Sequence, residues 1–299
     1  MARAPRSLAG QVVAITGGAR GIGRATAAAL IGQGARVAIG DIDVALALHT
    51  SGELAGGTIG LPLDVTDSAS FETFLRQVEA RLGPLDVLIN NAGIMPLGRF
   101  VDESDATARR MVDINLHGVI FGSKLALPRF LARGRGTLVN VASSAGKTGF
   151  PGGATYCATK HAVVGLSEAI RQEVRGTGVD VSVVMPVVVR TELGSGLPDA
   201  RGFGPVEPED VAAAILAALQ RRRFDVFVPR SLDALFRARA LLPRRAAEAI
   251  ARLLGGDRVL ASPDHSARSA YEARLAQTIA AATEQREAAA RAQRETEVV

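Results

Sequence analysis

Cysteine, tryptophan, tyrosine and lysine are scarce in this sequence of 299 residues. It has one Cys, no Trp and two Tyr, and only three of its 35 basic residues are Lys. The single cysteine, Cys157, excludes an internal disulfide and a cysteine-based metal site, and it indicates a reducing compartment. The four histidines show no metal-ligand spacing. We therefore predict a cytoplasmic protein without a metal site.

Long apolar runs are also missing. The longest, VSVVMPVVV at residues 181–189, is far shorter than the ~20 residues of a membrane-spanning helix. The first ten residues lack the apolar core of a signal peptide. We expect neither a membrane span nor a leader, and the hydrophobic share of 47% is enough to bury the core of one large domain.

Excess positive charge is confined to the C-terminal quarter of the chain. Residues 1–220 carry twenty basic and twenty acidic side chains, whereas residues 221–299 carry fifteen Arg against ten acidic residues, which gives the net charge of +5. The few aromatic residues of this basic segment sit at apolar helix positions and do not form a stacking surface. We therefore predict no nucleic-acid binding.

Short β-rich apolar runs alternate with longer helical stretches from Gln11 to about Pro229. The candidate strands are residues 11–16, 35–40, 58–63, 86–90, 136–142, 179–185 and 224–228. This alternation predicts an α/β fold: a Rossmann-type, doubly wound parallel sheet of about seven strands with helices on both faces. We expect residues 1–230 to form this domain and residues 231–299 to form a basic helical C-terminal extension.

The first predicted strand runs into a glycine-rich loop, TGGARGIG at residues 16–23. Glycines between a strand and a helix let the backbone turn tightly and approach a pyrophosphate, which the N–H groups at the start of the helix can bind. The sequence therefore predicts a dinucleotide site in the domain of residues 1–230. Its residues in this loop are Thr16, Gly17, Arg20, Gly21, Ile22 and Gly23.

Asp41, which closes the second predicted strand, favours NAD over NADP. A carboxylate there can accept hydrogen bonds from the ribose hydroxyls and would repel a 2′-phosphate. Arg20 has the opposite effect, since it could approach a 2′-phosphate, but we give Asp41 more weight. The alternative is that Asp41 caps the next helix.

Two further strand ends carry candidate cofactor contacts. Asp64 and Val65 could hold the adenine, although Asp64 or Asp67 could instead cap a helix over residues 68–82. The fourth strand ends in NNAG at residues 90–93, whose amides can line the floor of the cofactor site, with a plain turn as the alternative. The candidates there are Asn91, Ala92 and Gly93.

Ser143, Tyr156 and Lys160 have spacings that suit the interconversion of alcohols and carbonyl compounds. Tyr156 and Lys160 lie one turn apart on one face of a helix that starts near Ala154, and Ser143 follows the fifth strand. A positive charge on Lys160 would lower the pKa of the phenol, so that Tyr156 exchanges a proton while Ser143 hydrogen-bonds the same oxygen. A Tyr with a Lys four residues later is common on amphipathic helices. Because both residue types are scarce in this chain, the pair favours a catalytic site.

Asn115 lies in a predicted helix that extends from about Ser104 to Ala132. A buried amide needs hydrogen-bond partners, so Asn115 would hold a local kink or a water molecule beside Lys160. The alternative is an Asn on the protein surface.

Together these motifs resemble the short-chain dehydrogenase/reductase family over roughly residues 8–230. The matching features are TGxxxGxG, NNAG, the Asn in its helix, the Ser, and YxxxK at residues 156–160. The resemblance implies that Ser143, Tyr156 and Lys160 are catalytic and that Asn115 anchors a water-mediated proton relay. It also implies that Lys160 holds the hydroxyls of the nicotinamide ribose.

The resemblance extends past the sixth strand, with one departure. Pro186 and Thr191 match the family pattern, which implies that the Val189 backbone contacts the carboxamide and that the Thr191 hydroxyl contacts the cofactor. Val187 replaces the usual Gly and is expected to narrow the substrate pocket. The following Gly/Pro-rich segment, residues 192–207, lies where the family keeps its substrate-covering loop. Apolar residues near this region favour a hydrophobic substrate: Met95, Phe150, Leu193, Leu197 and Phe203.

In the extension, apolar residues recur at helical spacing: Leu232, Leu235, Phe236 and Leu242. Pro243 is expected to start a second helix that reaches Leu254. Arginines surround this stripe, so residues 231–258 could lie on an anionic membrane surface. We favour the alternative, packing over the substrate pocket or a partner subunit. From Ser262 onwards Tyr271, Leu275 and Ile279 make a short apolar stripe, and we expect the rest of this end to be a solvated or frayed helix.

The sequence therefore predicts an NAD(P)-dependent oxidoreductase that acts on the CH–OH group of a small, lipophilic alcohol or on the matching carbonyl compound. A non-catalytic, dinucleotide-sensing regulator is the alternative, since a sensor needs only the glycine loop and Asp41. The family resemblance implies a homodimer or homotetramer that pairs through the helices at about residues 104–132 and 154–176.

Overall fold

The computed structural model describes residues 5–54, 56–198, 204–253, 255 and 258–297. Its centre is a seven-stranded sheet of order β3-β2-β1-β4-β5-β6-β7, in which every neighbouring pair is parallel. The strands are β1 (Val12–Thr16), β2 (Arg36–Asp41), β3 (Ile59–Pro62), β4 (Val87–Asn90), β5 (Gly136–Val141), β6 (Val179–Pro186) and β7 (Asp225–Val228). The predicted doubly wound sheet is confirmed.

Helices cover both faces of this sheet. They are α1 (Gly21–Ile31), α2 (Val44–Leu54), α3 (Ser68–Leu82), α4 (Asp105–Val112), α5 (Gly118–Ala132), α6 (Ala154–Glu173) and α7 (Pro208–Arg221). Phe71 and Phe74 of α3 belong to the core on one face, whereas Leu30 of α1 and Ile215 of α7 belong to the core on the other. The strand order reverses between β1 and β4, which creates the crevice where folds of this kind bind ligands.

The helix predicted over residues 104–132 is interrupted. A π-helical turn at Asp113–His117 separates α4 from α5, and it contains Asn115, which is fully buried. The Asn115 side chain accepts a hydrogen bond from the Ile94 N–H at 2.8 Å and donates one to the Ile94 carbonyl at 2.9 Å. Asn115 therefore joins the π turn to the segment after β4 and is not a surface residue.

In the described part of the chain after β7, the helices are α8 (Ser231–Ala240), α9 (Arg244–Leu253) and α10 (His265–Glu297). Helix α8 packs on the sheet, and the rings of Phe236 and Phe227 stack with centroids 5.5 Å apart. Helix α9 lies at the surface, with Leu253 74% exposed. Phe203 and Leu254, named in the sequence predictions, fall outside the described residues. No helix in the described ranges is both long and apolar enough to span a bilayer.

The predicted stripe of Tyr271, Leu275 and Ile279 lies on the protected side of the first part of α10, where Leu275 is buried and the other two are half-buried. Arg268 is also fully buried. The reason is that this part of the helix packs against loops that follow β4 and β6, where it finds partners for its polar and apolar side chains.

Candidate active site

A cavity of about 560 Å³ opens where β2, β4, β5 and β6 end. Its walls include the glycine loop after β1, residues that follow each of these strands, and part of the C-terminal extension. The residues that the sequence singles out around it are Gly17, Arg20, Gly21, Ile22, Asp41, Asp64, Val65, Asn91, Ala92, Gly93, Ser143, Tyr156, Lys160, Pro186, Val189 and Thr191.

The glycine loop has a backbone that residues with a side chain rarely adopt. Gly17 and Gly21 have φ angles of 62° and 52°, in the left-handed region that favours glycine. A Cβ atom on Gly17 would lie 2.9 Å from the Cα of Ala92, and one on Gly23 would lie 2.3 Å from the Gly17 carbonyl oxygen. The loop is therefore closely packed against the segment after β4, and its free side faces the cavity.

Thr16 and Gly23 are absent from the cavity wall and instead hold the loop in place. The Thr16 hydroxyl accepts hydrogen bonds from the N–H groups of Asn91 at 2.9 Å and Ala92 at 3.0 Å. In return, the Asn91 amide donates to the carbonyl groups of Thr16 and Gly17 at 2.9 Å each. The NNAG segment therefore fixes the loop that would hold a pyrophosphate.

Asp41 faces the cavity and is not the helix cap. Its carboxylate accepts hydrogen bonds from the N–H groups of Ala19 and Asp43, each at 3.2 Å. Asp43 caps α2 instead, by accepting from the Leu46 N–H at 3.0 Å. Burial raises the pKa of Asp41, an effect that these backbone hydrogen bonds and Arg20 oppose. Arg20 itself is paired with Asp43 at 2.9 Å.

A similar division of roles holds at the end of β3. Asp67 caps α3 by accepting from the Ala69 N–H at 2.8 Å. Asp64 accepts from the N–H and hydroxyl of Thr66 at 2.9 and 2.7 Å and, with Val65, lines the cavity. The capping alternative thus applies to Asp67, and Asp64 is available to the cavity.

Ser143, Tyr156 and Lys160 are brought together on one wall. Ser143 follows β5, and its hydroxyl accepts from the Ala145 N–H at 3.1 Å. Tyr156 and Lys160 lie on the buried face of α6 and are 7% and 5% exposed. The Lys160 ammonium donates to the Val141 carbonyl at 3.0 Å and lies 5.7 Å from the centroid of the Tyr156 ring.

Burial controls the protonation of this pair. It raises the pKa of Tyr156 above its ordinary value, and a hydrogen bond with Ser143 opposes that rise. It also lowers the pKa of Lys160 to about 8. The predicted lowering of the phenol pKa by Lys160 is therefore not found in this structure, because loss of hydration penalises the phenolate more than its neighbours stabilise it.

Asn115 reaches the site from behind Gly93. A Cβ atom on Gly93 would lie 3.2 Å from the Oδ1 atom of Asn115 and 3.6 Å from the Nζ atom of Lys160. Both polar atoms thus flank the same glycine, although Asn115 itself is not part of the cavity wall. Its amide also donates to the Thr159 hydroxyl at 3.3 Å.

The segment after β6 accepts Val187 without backbone strain. Among the described residues other than glycine, only Arg222 has a positive φ angle. The Val187 N–H continues the pairing with β7 by donating to the Val228 carbonyl at 3.0 Å. The Val187 side chain lines the cavity, so the departure from Gly affects the space in the pocket and not the path of the chain.

Apolar side chains dominate the end of the cavity beyond Ser143. Four that the sequence predicted are Met95, Phe150, Leu193 and Leu197, and the extension adds Val259, Leu260, Tyr271 and Leu275. Packing of the extension over the pocket was expected of residues 231–258, whereas residues 259–278 line the cavity. Tyr271 and Leu275 belong to the apolar stripe that the sequence shows beyond Ser262. In the part of the chain that the structure describes, no cluster of three potential metal ligands occurs.

Comparisons with known proteins agree with this geometry. Residues 11–202 match the family model described as short chain dehydrogenase. The chain is 37% identical over 232 residues to 2-(S)-hydroxypropyl-CoM dehydrogenase 3 of Xanthobacter autotrophicus, covering 71% of this chain and 90% of the relative. It is 36% identical over 216 residues to meso-2,3-butanediol dehydrogenase of Serratia marcescens, covering 69% and 85%.

Solved structures show the same similarity. A short chain dehydrogenase/reductase from Burkholderia phymatum in complex with NAD aligns with a TM-score of 0.72 and 26% identity, covering 79% of this chain and 94% of that one. A 3-ketoacyl-(acyl-carrier-protein) reductase from Brucella melitensis complexed with NADH aligns with a TM-score of 0.68 and 28% identity, covering 74% and 98%.

Proposed function

The chain belongs to the short chain dehydrogenase family, and we propose that Ser143, Tyr156 and Lys160 make it an active, NAD(H)-linked enzyme. As a member of this family it is an oxidoreductase that uses a nicotinamide cofactor to interconvert alcohols and carbonyl compounds. The observation that carries the proposal is that these three side chains line the same cavity as the glycine loop and Asp41.

The residues of the cavity fit a dinucleotide. The closely packed glycines bring backbone N–H groups to the start of α1, which suits a pyrophosphate, and Asp41 offers carboxylate oxygens to ribose hydroxyls. We assign cofactor contacts to Gly17, Arg20, Gly21, Ile22, Asp41, Asp64, Val65, Asn91, Ala92, Gly93, Tyr156, Lys160, Pro186, Val189 and Thr191. Thr16 and Gly23 take part by holding the glycine loop. When bound, the nicotinamide supplies the hydride in reduction and accepts it in oxidation.

The chain's own residues move the proton and hold the reacting oxygen. Tyr156 gives a proton to the substrate oxygen in reduction and takes it in oxidation. Ser143 hydrogen-bonds the same oxygen and so stabilises the charge that develops on it. Lys160 holds the nicotinamide ribose and keeps a positive charge near the phenol, and Asn115 anchors the proton path that passes Gly93.

NAD(H) is supported as the cofactor by the two structural relatives described with NAD and NADH. The charges around the predicted ribose site also favour NAD(H) over NADP(H). Arg20, the residue that could attract a 2′-phosphate, is paired with Asp43 at 2.9 Å and with Glu192 at 3.2 Å. Asp41 remains directed at the cavity, where its charge would repel that phosphate.

The substrate that this pocket favours is mainly apolar. Met95, Phe150, Leu193 and Leu197 form much of its wall, and apolar walls bind apolar molecules by removing their surface from water. Val187 narrows the pocket beside them. These contacts support a lipophilic alcohol or ketone of modest size.

Nicotinamide fluorescence, with NAD or NADP and a panel of lipophilic alcohols, tests the function in the wild type and Tyr156→Phe. We expect turnover with NAD and a loss of at least about 10³-fold in the variant, because the proton donor is removed. Ser167→Ala is the matched control, since it removes a buried hydroxyl of α6 that bonds Val163 and Asn140. Tight cofactor binding without any turnover would favour the dinucleotide sensor, and turnover only with NADP would contradict the role of Asp41.

We also propose a homodimer or homotetramer in the cytoplasm and a peripheral membrane contact through residues 231–258. The oligomer is supported by small exposed residues on α6, Gly165 and Ala169. The membrane contact is supported by Leu241 and Leu253, which are 87% and 74% exposed among arginines of α8 and α9. The division into a domain of residues 1–230 and an extension stays a prediction.

A further inference from the structure

The start of α10 is docked on the domain by backbone contacts that require glycine. Gly196, in the loop after β6, has a φ angle of 66°, and a Cβ atom on it would lie 2.4 Å from the Asp264 carbonyl oxygen. The Asp264 N–H donates to the Gly196 carbonyl at 2.7 Å. Gly152 has a φ angle of 81°, and a Cβ atom there would lie 2.3 Å from the Leu260 carbonyl oxygen. The extension therefore sits against two separate loops of the domain.

Arg268, buried between α10 and the domain, hydrogen-bonds the loops that follow β4 and β6. Its side chain is 0% exposed and donates to the carbonyl groups of Leu193 at 3.0 Å, Ser195 at 2.8 Å and Met95 at 3.0 Å. Glu272, one turn along the helix, lies 3.4 Å from its Nε atom. A buried charge is tolerated only when it is paired and hydrogen-bonded in this way. One guanidinium thus fixes the substrate loop, the segment after β4 and α10 relative to one another.

Tyr271 places a polar group in an otherwise apolar part of the pocket. Its hydroxyl oxygen accepts from the Met95 N–H at 2.8 Å, and its ring lies 5.1 Å below the Arg268 guanidinium. The hydroxyl hydrogen has no acceptor among the described residues, and the side chain lines the cavity. The phenol is also close enough to raise the pKa of Tyr156. Its O–H can therefore donate to an oxygen of a substrate held at Tyr156.

We propose that residues 258–279 are the substrate-selecting wall of the pocket. In this wall Tyr271 donates a hydrogen bond to a second oxygen of the substrate, and Arg268 is the positioning residue that holds the wall against the loop after β6. The substrate class is an alcohol or carbonyl compound with an apolar body, which contacts Val259, Leu260 and Leu275, and a second oxygen near the reacting one. This proposal rests on the proposed oxidoreductase function.

Tyr271→Phe tests the second oxygen. The measurement is the ratio of kcat/KM for a vicinal diol to kcat/KM for the secondary alcohol of the same chain length. We expect the variant to lower this ratio about tenfold, the effect of one hydrogen bond of about 1.4 kcal/mol, while the dissociation constant of NADH stays unchanged. Thr283→Val is the control, because the Thr283 hydroxyl bonds only its own helix at the Ile279 carbonyl. An unchanged ratio in Tyr271→Phe overturns its assigned role.

Amide hydrogen exchange of residues 193–197 tests the positioning role of Arg268 without any turnover. We expect exchange in this loop to be at least about tenfold faster in Arg268→Met, with a raised KM and unchanged NADH binding. Arg268→Lys should recover part of the protection because an ammonium can still donate to these carbonyl groups. If the wild type turns over no substrate, the proposed function fails, but the exchange result still decides whether Arg268 holds the loop.

A second pair of variants covers the case in which Arg268→Met does not fold. Gly196→Ala pushes against the Asp264 carbonyl, whereas Gly176→Ala has a similar φ angle of 84° and its Cβ atom would meet nothing within 4 Å. Both carry the strain of a left-handed backbone, so only Gly196→Ala should speed exchange in residues 193–197 and at the start of α10. Equal exchange in the two variants overturns the docking of the extension as the element that holds the loop.

Discussion

Lys160 is buried, and its ammonium donates to the Val141 carbonyl. This burial makes the free energy of unfolding depend on pH. Burial lowers its pKa from 10.5 to about 8. Between these two values the unfolded chain binds more protons than the folded protein, so the free energy of unfolding rises with pH in this window. Below pH 8 both states are protonated, and the buried charge costs stability.

Lys160→Met removes this dependence on pH. Between pH 7 and pH 9.5 the wild type should gain about 2 kcal/mol more unfolding free energy than the variant, from the shift of the Lys160 pKa. Denaturant unfolding at the two pH values measures the difference, from which tyrosine ionisation in the unfolded chain cancels because both proteins have the same tyrosines. Lys124→Met, at an exposed position on α5, is the control and should behave like the wild type. If Lys160→Met also behaves like the wild type, burial does not control this lysine.

The residues nearest the chemistry were the easiest to predict. Ser143, Tyr156 and Lys160 form a pattern of rare residue types at fixed spacing, and their placement on one cavity wall follows from one strand end and one helix face. Arg268 was not predicted because its partners are backbone carbonyl groups, which every residue has and no sequence pattern marks. The pKa of Tyr156 was predicted in the wrong direction, since a sequence does not show how much water a fold removes.

At the scale of elements, the seven strands were predictable because β-rich apolar runs alternate with helices. The interruption at Asp113–His117 was not. This segment contains neither Gly nor Pro, which commonly mark a kink. Its cause is a tertiary one: Asn115 pairs with both backbone groups of Ile94, a residue far away in the sequence. Because of the π turn, α4 and α5 can pack against the domain while Asn115, which lies between them, bonds the segment after β4.

Substitution of two buried asparagines, one in this turn and one in β5, can distinguish the structural role of the turn from its role in catalysis. Asn115→Ala and Asn140→Ala should each cost about 2 kcal/mol of unfolding free energy, because each leaves buried hydrogen-bonding groups unpaired. Asn140 contacts Asn90 and Ser167. Only Asn115→Ala should also lower kcat, by about tenfold or more, if Asn115 anchors the proton path. Denaturation curves and initial rates at one temperature measure both effects, and an equal kcat in the two variants would rule out the relay.

At the scale of the whole molecule, the helices at about residues 104–132 (α4 and α5) and 154–176 (α6) are the predicted contact between subunits. Gly165 lies on the exposed side of α6, and a Cβ atom on it would meet nothing within 4 Å. Small residues of this kind allow two helices to approach closely, and charged residues are depleted at the core of subunit interfaces. A long charged side chain at this position should therefore prevent pairing without disturbing the fold of the subunit.

Gly165→Arg and Gly52→Arg form a matched pair for this test. Gly52 is an exposed glycine in α2 whose Cβ atom would also meet nothing within 4 Å, so both variants add the same side chain to an open helix surface. Light scattering after size-exclusion chromatography should give a dimer or tetramer for the wild type and Gly52→Arg, and at most half that mass for Gly165→Arg. A wild-type monomer would exclude the oligomer itself. A guanidinium buried at the centre of a helix pair would lose its hydration without gaining a partner, so it should break a contact made by α6. An unchanged mass in Gly165→Arg would therefore place the subunit contact on another surface.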